Sequence, residues 1–487
     1  MIYPLIWKIL LKVLLFAGII LITIYFVWAF ESRKGPPLSF WNTLDVDDAS
    51  ELHVFSKELT FEAYLQNENK IFQEVEHAIA AHSDPESQVE VLGRYTGNGI
   101  LNPLAYTKNW NRTFELEPQE IKGGVLLLHG LTDSPYSLRE VGQIFHKHHF
   151  YVLGLRVPGH GTVPSGLLEV TWRDWMAAVR MASKHVRKKI GPSKPFYVVG
   201  YSNGGALAVN YSLDTVEDNQ LPKPDKLFLF SPAIGITFFA RFAVTHKLIS
   251  FLPMFRKFKW LHILPEYDPY KYNSFTKNAG TQSSRLARRI QGRIKRLKKE
   301  GRADQFPPMI TFQSVVDDTV VGVDTITKLY DPLASSKNEL VIFDINRVGF
   351  LEMLMKDKPN MEINRIRSSE TFPYWLTILT NKDDESKEVA AFTKEPDSKD
   401  VQVKSLGMYW PDQVYSLSHV AIPFPPKDPI YGEKGRIQQS EVPTIGSWHP
   451  RGEKGVLQIS AAQFLRIRYN PFFHYIEKTI DAELAPY

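Results

Sequence analysis

The chain has 487 residues, 44% of them hydrophobic and 23% charged, a balance that supplies a globular core without any covalent staple. It contains no cysteine, which excludes disulfides, thiolate metal ligands, a cysteine nucleophile and a lipidated N-terminal cysteine. The net charge of +5 is local: residues 285–302 (RLARRIQGRIKRLKKEGR) hold nine Lys/Arg against Glu300, so the remainder sums to −3 and nucleic-acid binding is not implied.

Residues 13–30 (VLLFAGIILITIYFVWAF) carry no charge, and 5–11 extend the apolar run past Lys8. At helical rise these eighteen residues reach roughly 27 Å, close to a bilayer core. Trp7, Tyr25 and Trp28 lie near the ends, where amphipathic rings favour the interface. Residues 1–34 therefore predict a single-pass membrane anchor. The run is too long and too bulky for a cleaved signal peptide, and Val27-Trp28-Ala29 makes a poor cleavage site. Lys8 and Lys12 mark the cytoplasmic side, with Arg33 and Lys34 pulling the other way; the following domain is then extracytoplasmic, in the periplasm.

Residues 35–120 read as a linker and lead-in arm, with helical spacing over 59–81 (Leu59, Phe61, Leu65, Ile71, Phe72, Val75, Ile79). From Gly123 the texture becomes strands alternating with helices, and residues 121–487 predict an α/β domain: a mostly parallel sheet with helices on both faces. Strands are expected at 125–129, 151–155, 196–201, 226–231, 309–314 and 340–345, several apolar on both sides as doubly covered strands are. Helices are expected at 137–146, at 171–186 behind the Thr171/Asp174 start, and at 461–484. Two insertions interrupt the core: a helical cap over 233–305, and 347–413, whose segments 374–380 and 389–392 predict a hairpin.

Gly200-Tyr201-Ser202-Asn203-Gly204 follows an apolar strand and precedes a helix that opens on small residues. That context makes Ser202 a nucleophile on a tight strand-to-helix turn, with the new helix directing N–H groups at a developing oxyanion. His129-Gly130-Leu131-Thr132 ends an earlier strand, so the Leu131 N–H can join that of Asn203 as an oxyanion-hole donor. The acid follows strand 309–314, in Val316-Asp317-Asp318-Thr319: Asp317, with Asp318 the alternative. His129 and His160 read as structural, because the base follows the acid in the chain order Ser, acid, His. That order leaves His419, with His449 and then His474 behind it.

The stretches LLLHGLTDSPYSLR (126–139), GLRVPGHGT (154–162), TWRDW (171–175), GYSNGG (200–205) and QSVVDD (313–318) together resemble the α/β-hydrolase superfamily, in its bacterial monoacylglycerol lipase, lysophospholipase and serine aminopeptidase-like branch. The resemblance covers about a third of the chain. It implies the α/β-hydrolase fold, a Ser202–Asp317–His419 triad, Leu131 and Asn203 as oxyanion donors, and neither metal nor cofactor. The chain departs from that pattern in its anchor, its arm, and the roughly one hundred residues between acid and histidine, where a few tens are usual.

The function expected is hydrolysis of a carboxyl ester on an apolar, lipid-like substrate through an acyl-enzyme. Two alternatives stand. An aminopeptidase needs an acidic pocket, for which Glu266 and Asp268 are the only hint; a catalytically silent scaffold at the membrane would keep the fold alone. Phe238, Phe239, Phe242, Phe251 and Phe255 of the cap either line an acyl tunnel or form the cap's own core. The face Leu286, Ile290, Ile294, Leu297 of the basic segment predicts docking on the cap with a solvated basic back, the alternative being contact with anionic lipid.

Overall fold

The computed structural model describes residues 3–45, 60–82, 93–97, 99–235, 253–316, 325–348, 371–433, 445–447 and 457–486. The centre is a sheet of ten strands: β1 (Phe114–Leu116), β2 (Gly123–Leu128), β3 (Phe150–Leu155), β4 (Phe196–Tyr201), β5 (Lys226–Phe230), β8 (Met309–Ser314), β9 (Glu339–Phe343), β10 (Trp375–Asn381), β11 (Glu388–Lys394) and β12 (Gln402–Tyr409). A separate two-stranded ribbon joins β6 (Trp260–His262) to β7 (Phe275–Thr276). The main sheet runs β1-β3-β2-β4-β5-β8-β9-β10-β11-β12. Every pair from β3 across to β10 is parallel, and β1, β11 and β12 are antiparallel additions at the two edges.

All residues of β2, β3, β4 and β8 are buried, as a sheet covered on both faces requires. The period of two divides them between two cores. Leu126, Leu128, Leu153 and Val198 face the helices α4 (Trp172–Ile190), α5 (Asn203–Glu217) and α6 (Lys277–Lys299). Val125, Leu127, Val152 and Val199 face α3 (Arg139–Lys147) and α7 (Phe473–Leu484). The Asp174 carboxylate accepts the Thr171 N–H, so α4 starts where the sequence places it. The terminal helix is shorter than expected. One helical turn at Ala461–Phe464 is followed by an interruption through Asn470 and Pro471, after which α7 begins, because proline cannot donate within a continuous helix.

The lead-in arm is tied into this core. Helix α2 (Phe61–His82) buries Phe61, Tyr64, Ile71, Phe72, Val75 and Ile79, and β1 pairs with β3. Glu68 is buried on the same face, accepting from Arg156 Nε at 3.0 Å, Thr113 N at 2.9 Å and Thr113 Oγ1 at 2.7 Å. The 347–413 segment likewise does not stand apart: β10 pairs in parallel with β9, β11 folds back on β10, and β12 is an exposed edge. Residues 349–370 and the stretch 236–252, which holds Phe238, Phe239, Phe242 and Phe251 of the tunnel-or-core alternatives, lie outside the described residues.

Helix α6 buries Leu286, Ile290, Ile294 and Leu297, while Arg285, Arg288, Lys295 and Lys299 face solvent, so the apolar face is docked and the basic back is solvated. Helix α1 (Tyr3–Lys34) contains an 18-residue window, Leu10–Val27, of mean hydropathy 2.6 with none of it buried: a helix long and apolar enough to cross a membrane.

Glu68→Ala leaves the Arg156 guanidinium buried without its carboxylate, a loss of about 3–5 kcal/mol. Chemical denaturation should show that drop, and Glu68→Leu combined with Arg156→Met should regain most of it.

Candidate active site

Ser202 lies between β4 and α5 with φ 54° and ψ −115°, a left-handed conformation that a non-glycine residue adopts only when its surroundings enforce it. Its N–H donates to Phe230 O at 2.8 Å, and its own carbonyl accepts from Ala206 N at 3.2 Å and Ala233 N at 3.0 Å. The flanking glycines follow from closeness. A Cβ on Gly204 would sit 1.9 Å from Leu128 O, and one on Gly200 would sit 2.5 Å from Gly204 O. The turn therefore forces the start of α5 against the end of β2.

The loop after β2 continues directly beside the serine: a Cβ on Gly130 would be 3.4 Å from Ser202 Cβ. His129 fixes this loop. Val157 N donates to His129 Nε2 at 3.0 Å, which leaves the ring proton on Nδ1, facing Gly130 O at 2.9 Å. Burial pushes the His129 pKa well down, so the ring is neutral and structural. His160 is similar: Nδ1 lies 3.0 Å from Pro158 O, and burial pushes its pKa down to about 4. Leu131 N–H and Asn203 N–H, on the two sides of Ser202, have no acceptor among the described residues. Leu131 follows Gly130, which lies against Ser202, and Asn203 follows the serine itself, so both unaccepted N–H groups belong to the segments that flank it.

His419 is buried at the start of the short turn His419–Ala421, its ring centroid 5.3 Å from that of Tyr201, the residue before Ser202. Ser314 Oγ at the end of β8 donates to Leu417 O at 2.9 Å, which brings the segment entering His419 to the strand that precedes Asp317. Asp317, its alternative Asp318, and His449 lie outside the described residues. His474 is exposed on α7, with Nδ1 3.2 Å from Glu477 Oε2. The long spacing between positions 317 and 419 has a structural origin. Asn346 N donates to Tyr415 O at 2.8 Å and its Nδ2 to Val414 O at 3.0 Å, so the chain leaves the core after β9 and returns to the same point before His419.

Beside this turn opens a cavity of about 150 Å³, lined among others by Asp133, Tyr201, Lys271, Val420, Arg466 and Arg468. Asp133 belongs to the loop motif at 126–139, but the partners around it come from distant segments and left no sequence signal. Burial pushes the Asp133 pKa up to about 7 and the Lys271 pKa down. Glu266 and Asp268, the acids of the aminopeptidase alternative, accept hydrogen bonds from their own loop, and Asp268 also lines this cavity. Glu266 accepts from Asn273 N at 2.8 Å and Ser274 N at 2.7 Å. Asp268 accepts from Tyr270 N at 3.0 Å, Lys271 N at 3.1 Å and the Tyr431 hydroxyl at 2.5 Å.

A carboxyl whose pKa is raised on folding holds its proton more tightly in the folded state, so its stabilisation is lost as pH rises from about 4 through about 7. Asp133→Asn keeps an acceptor for Ser134 N and removes that pH dependence. Its melting temperature relative to the native chain should climb between pH 4 and pH 8; a constant difference would contradict the assignment.

Residues 119–345 match the family model described as serine aminopeptidase, S33. The thermostable monoacylglycerol lipase of Bacillus sp. (strain H-257) is 33% identical over 86 residues, 18% of this chain, and the match spans about a third (33%) of that relative's length. Among solved structures, a metagenome-derived lipolytic enzyme of the LipS and LipT pair aligns with TM-score 0.39 and 20% identity over 53% of this chain and 98% of its own. The monoacylglycerol lipase of Paleococcus ferrophilus aligns with TM-score 0.35 and 15% identity, over 48% of this chain and 88% of its own. The sheet is that of an α/β-hydrolase fold, and residues 119–345 are similar to the family that the serine aminopeptidase, S33, model describes.

Proposed function

We propose that the chain is a membrane-anchored serine hydrolase that cleaves carboxyl esters of lipid-like substrates, of the monoacylglycerol or lysophospholipid type. The observation that carries this reading is the left-handed Ser202 turn with two unaccepted N–H groups, of Leu131 and Asn203, on its flanks. His419 takes the Ser202 proton as Oγ attacks the ester carbonyl carbon, and Asp317 orients the imidazole. The oxyanion forms against the Leu131 and Asn203 N–H groups. The C–O bond to the alcohol then breaks while His419 returns the proton to the leaving oxygen. Water, deprotonated by His419, attacks the acyl-enzyme and releases the acid and free Ser202. The chain's return to β9 at Tyr415 favours His419 over His449, because it sets the histidine a short step beyond the core strand.

A fluorophosphonate probe should label the protein at Ser202, and Ser202→Ala should abolish labelling and lower ester turnover by roughly four orders of magnitude or more. His419→Ala should cost nearly as much, since serine and base act as one unit, and Asp317→Asn should cost less. His449→Ala should match the native chain. A dead His449→Ala beside an active His419→Ala would move the base to 449 and leave Ser202 in place. An unlabelled, inactive native protein would favour the silent scaffold.

The exposed apolar surface of α1 supports anchoring, and Lys8 and Lys12 before it support a periplasmic domain. The full chain should stay with membranes through high salt and carbonate, whereas a chain starting at Gly35 should be released. Recovery of native protein with its N-terminus near Phe30 would show cleavage instead.

A further inference from the structure

The cavity beside Ser202 is built for charge. Three of its lining residues lie close to the site residues in sequence: Tyr201 precedes Ser202, Val420 follows His419, and Asp133 lies two residues after Leu131. Its cations outnumber its acids, with Lys271, Arg466 and Arg468 facing Asp133 and Asp268. Asp268 is already committed, to Arg468 Nη1 at 3.5 Å and to the hydrogen bonds of its own loop. Arg468 also donates to the Tyr267 hydroxyl at 3.1 Å. By contrast, the Lys271 and Arg466 side chains have neither a hydrogen-bond nor an ion-pair partner among the described residues. Lys271 is half-buried, and burial pushes its pKa down while Asp133 and Asp268 oppose that shift from beyond ion-pair distance.

We infer that this cavity takes the anionic head group of the substrate, a phosphate carried on the alcohol half of the ester, with Lys271 and Arg466 as its counter-charges. The inference rests on the ester-hydrolase reading and chooses within it the phosphate-bearing monoacyl ester over the neutral one. Size agrees: a protein cavity of about 150 Å³ is known to hold a ring of six carbons, enough for a phosphate and the carbons next to it. Chemistry agrees as well. An acyl chain here would desolvate two unpaired cations, whereas a phosphate dianion would satisfy both. Asp133 does not oppose the anion, because its buried carboxyl holds a proton up to about pH 7 and can donate it in a hydrogen bond.

The test uses the full-length protein in detergent with two substrates of one acyl chain: the monoacylglycerol and its 3-phosphate. The native chain should favour the phosphate by about tenfold or more in kcat/KM, chiefly through KM. Lys271→Met combined with Arg466→Gln should reduce that ratio by about tenfold, while Ser202 still takes the fluorophosphonate label. Equal or better turnover of the neutral ester by the native chain overturns the inference, as does a preference that survives both substitutions. A second arm needs no turnover: glycerol 3-phosphate should bind the Ser202→Ala chain in calorimetry and fail to bind once Lys271 and Arg466 are also replaced. Absence of binding to Ser202→Ala overturns the anion site. Absence of Ser202 labelling in the native chain is the separate failure of the hydrolase reading.

Discussion

Everything around the candidate site depends on one close approach, that of Gly204 to the Leu128 carbonyl. A side chain at 204 would meet that oxygen at 1.9 Å, so only glycine lets α5 start against the end of β2. This contact sets the start of α5 against the end of β2, at the turn where Ser202 has positive φ. Such a conformation costs on the order of 1–3 kcal/mol. The two strands that meet there, β2 and β4, are buried over their whole length, and three hydrogen bonds clamp the Ser202 backbone. Strain at one residue is thus offset by burial distributed over the sheet.

This division explains what the sequence could tell. The Ser202 turn is a local object: its glycines, the apolar strand before it and the small residues after it are contiguous, and they predict the turn that is found. The Leu131 loop is nearly as local. Strands 196–201 and 309–314 coincide with β4 and β8 because both faces are apolar, which leaves little ambiguity of register. The hairpin over 374–380 and 389–392 was equally legible as strands, but not as part of the central sheet. Pairing of β10 with β9 is a long-range choice with no signature in either segment. The charged cavity was invisible for the same reason. Asp133, Lys271 and Arg466 come from three distant segments, and each alone reads as an ordinary surface charge.

The C-terminal edge of the sheet is where these separate pieces are sewn together. Ser314 holds Leu417, Asn346 holds Tyr415, and Asn470 N donates to Phe424 O at 2.8 Å, so loops from β8, β9 and the C-terminal region converge on the Tyr201 and His419 rings. The bonds of Ser314 and Asn346 join the end of β8 and the residues just past β9 to segments far away in sequence. Insertions that leave and re-enter between such bonds can lengthen the chain without moving the histidine. The three added strands β10 to β12 illustrate this, since they extend the sheet at its far edge and return to Asn346.

The basic helix fits the same logic. Its charge density suggests a partner outside the chain, yet one of its arginines is an internal brace. Arg293 is buried and bonds Asp214 Oδ1 at 2.6 Å and Glu217 Oε2 at 2.8 Å, both on the C-terminal half of α5. Helix α5 is the helix that begins at Asn203, directly after Ser202. A helix packed only by aliphatic side chains can slide or rotate by small amounts at little cost, whereas a buried, doubly paired guanidinium penalises such motion because any displacement leaves charge unpaired. The brace therefore fixes the axis of α5 from its far end, as the Gly204 contact fixes it from the near end. Exposed Arg296 also pairs with Glu217 of α5, whereas Arg285, Arg288, Lys295 and Lys299 face solvent.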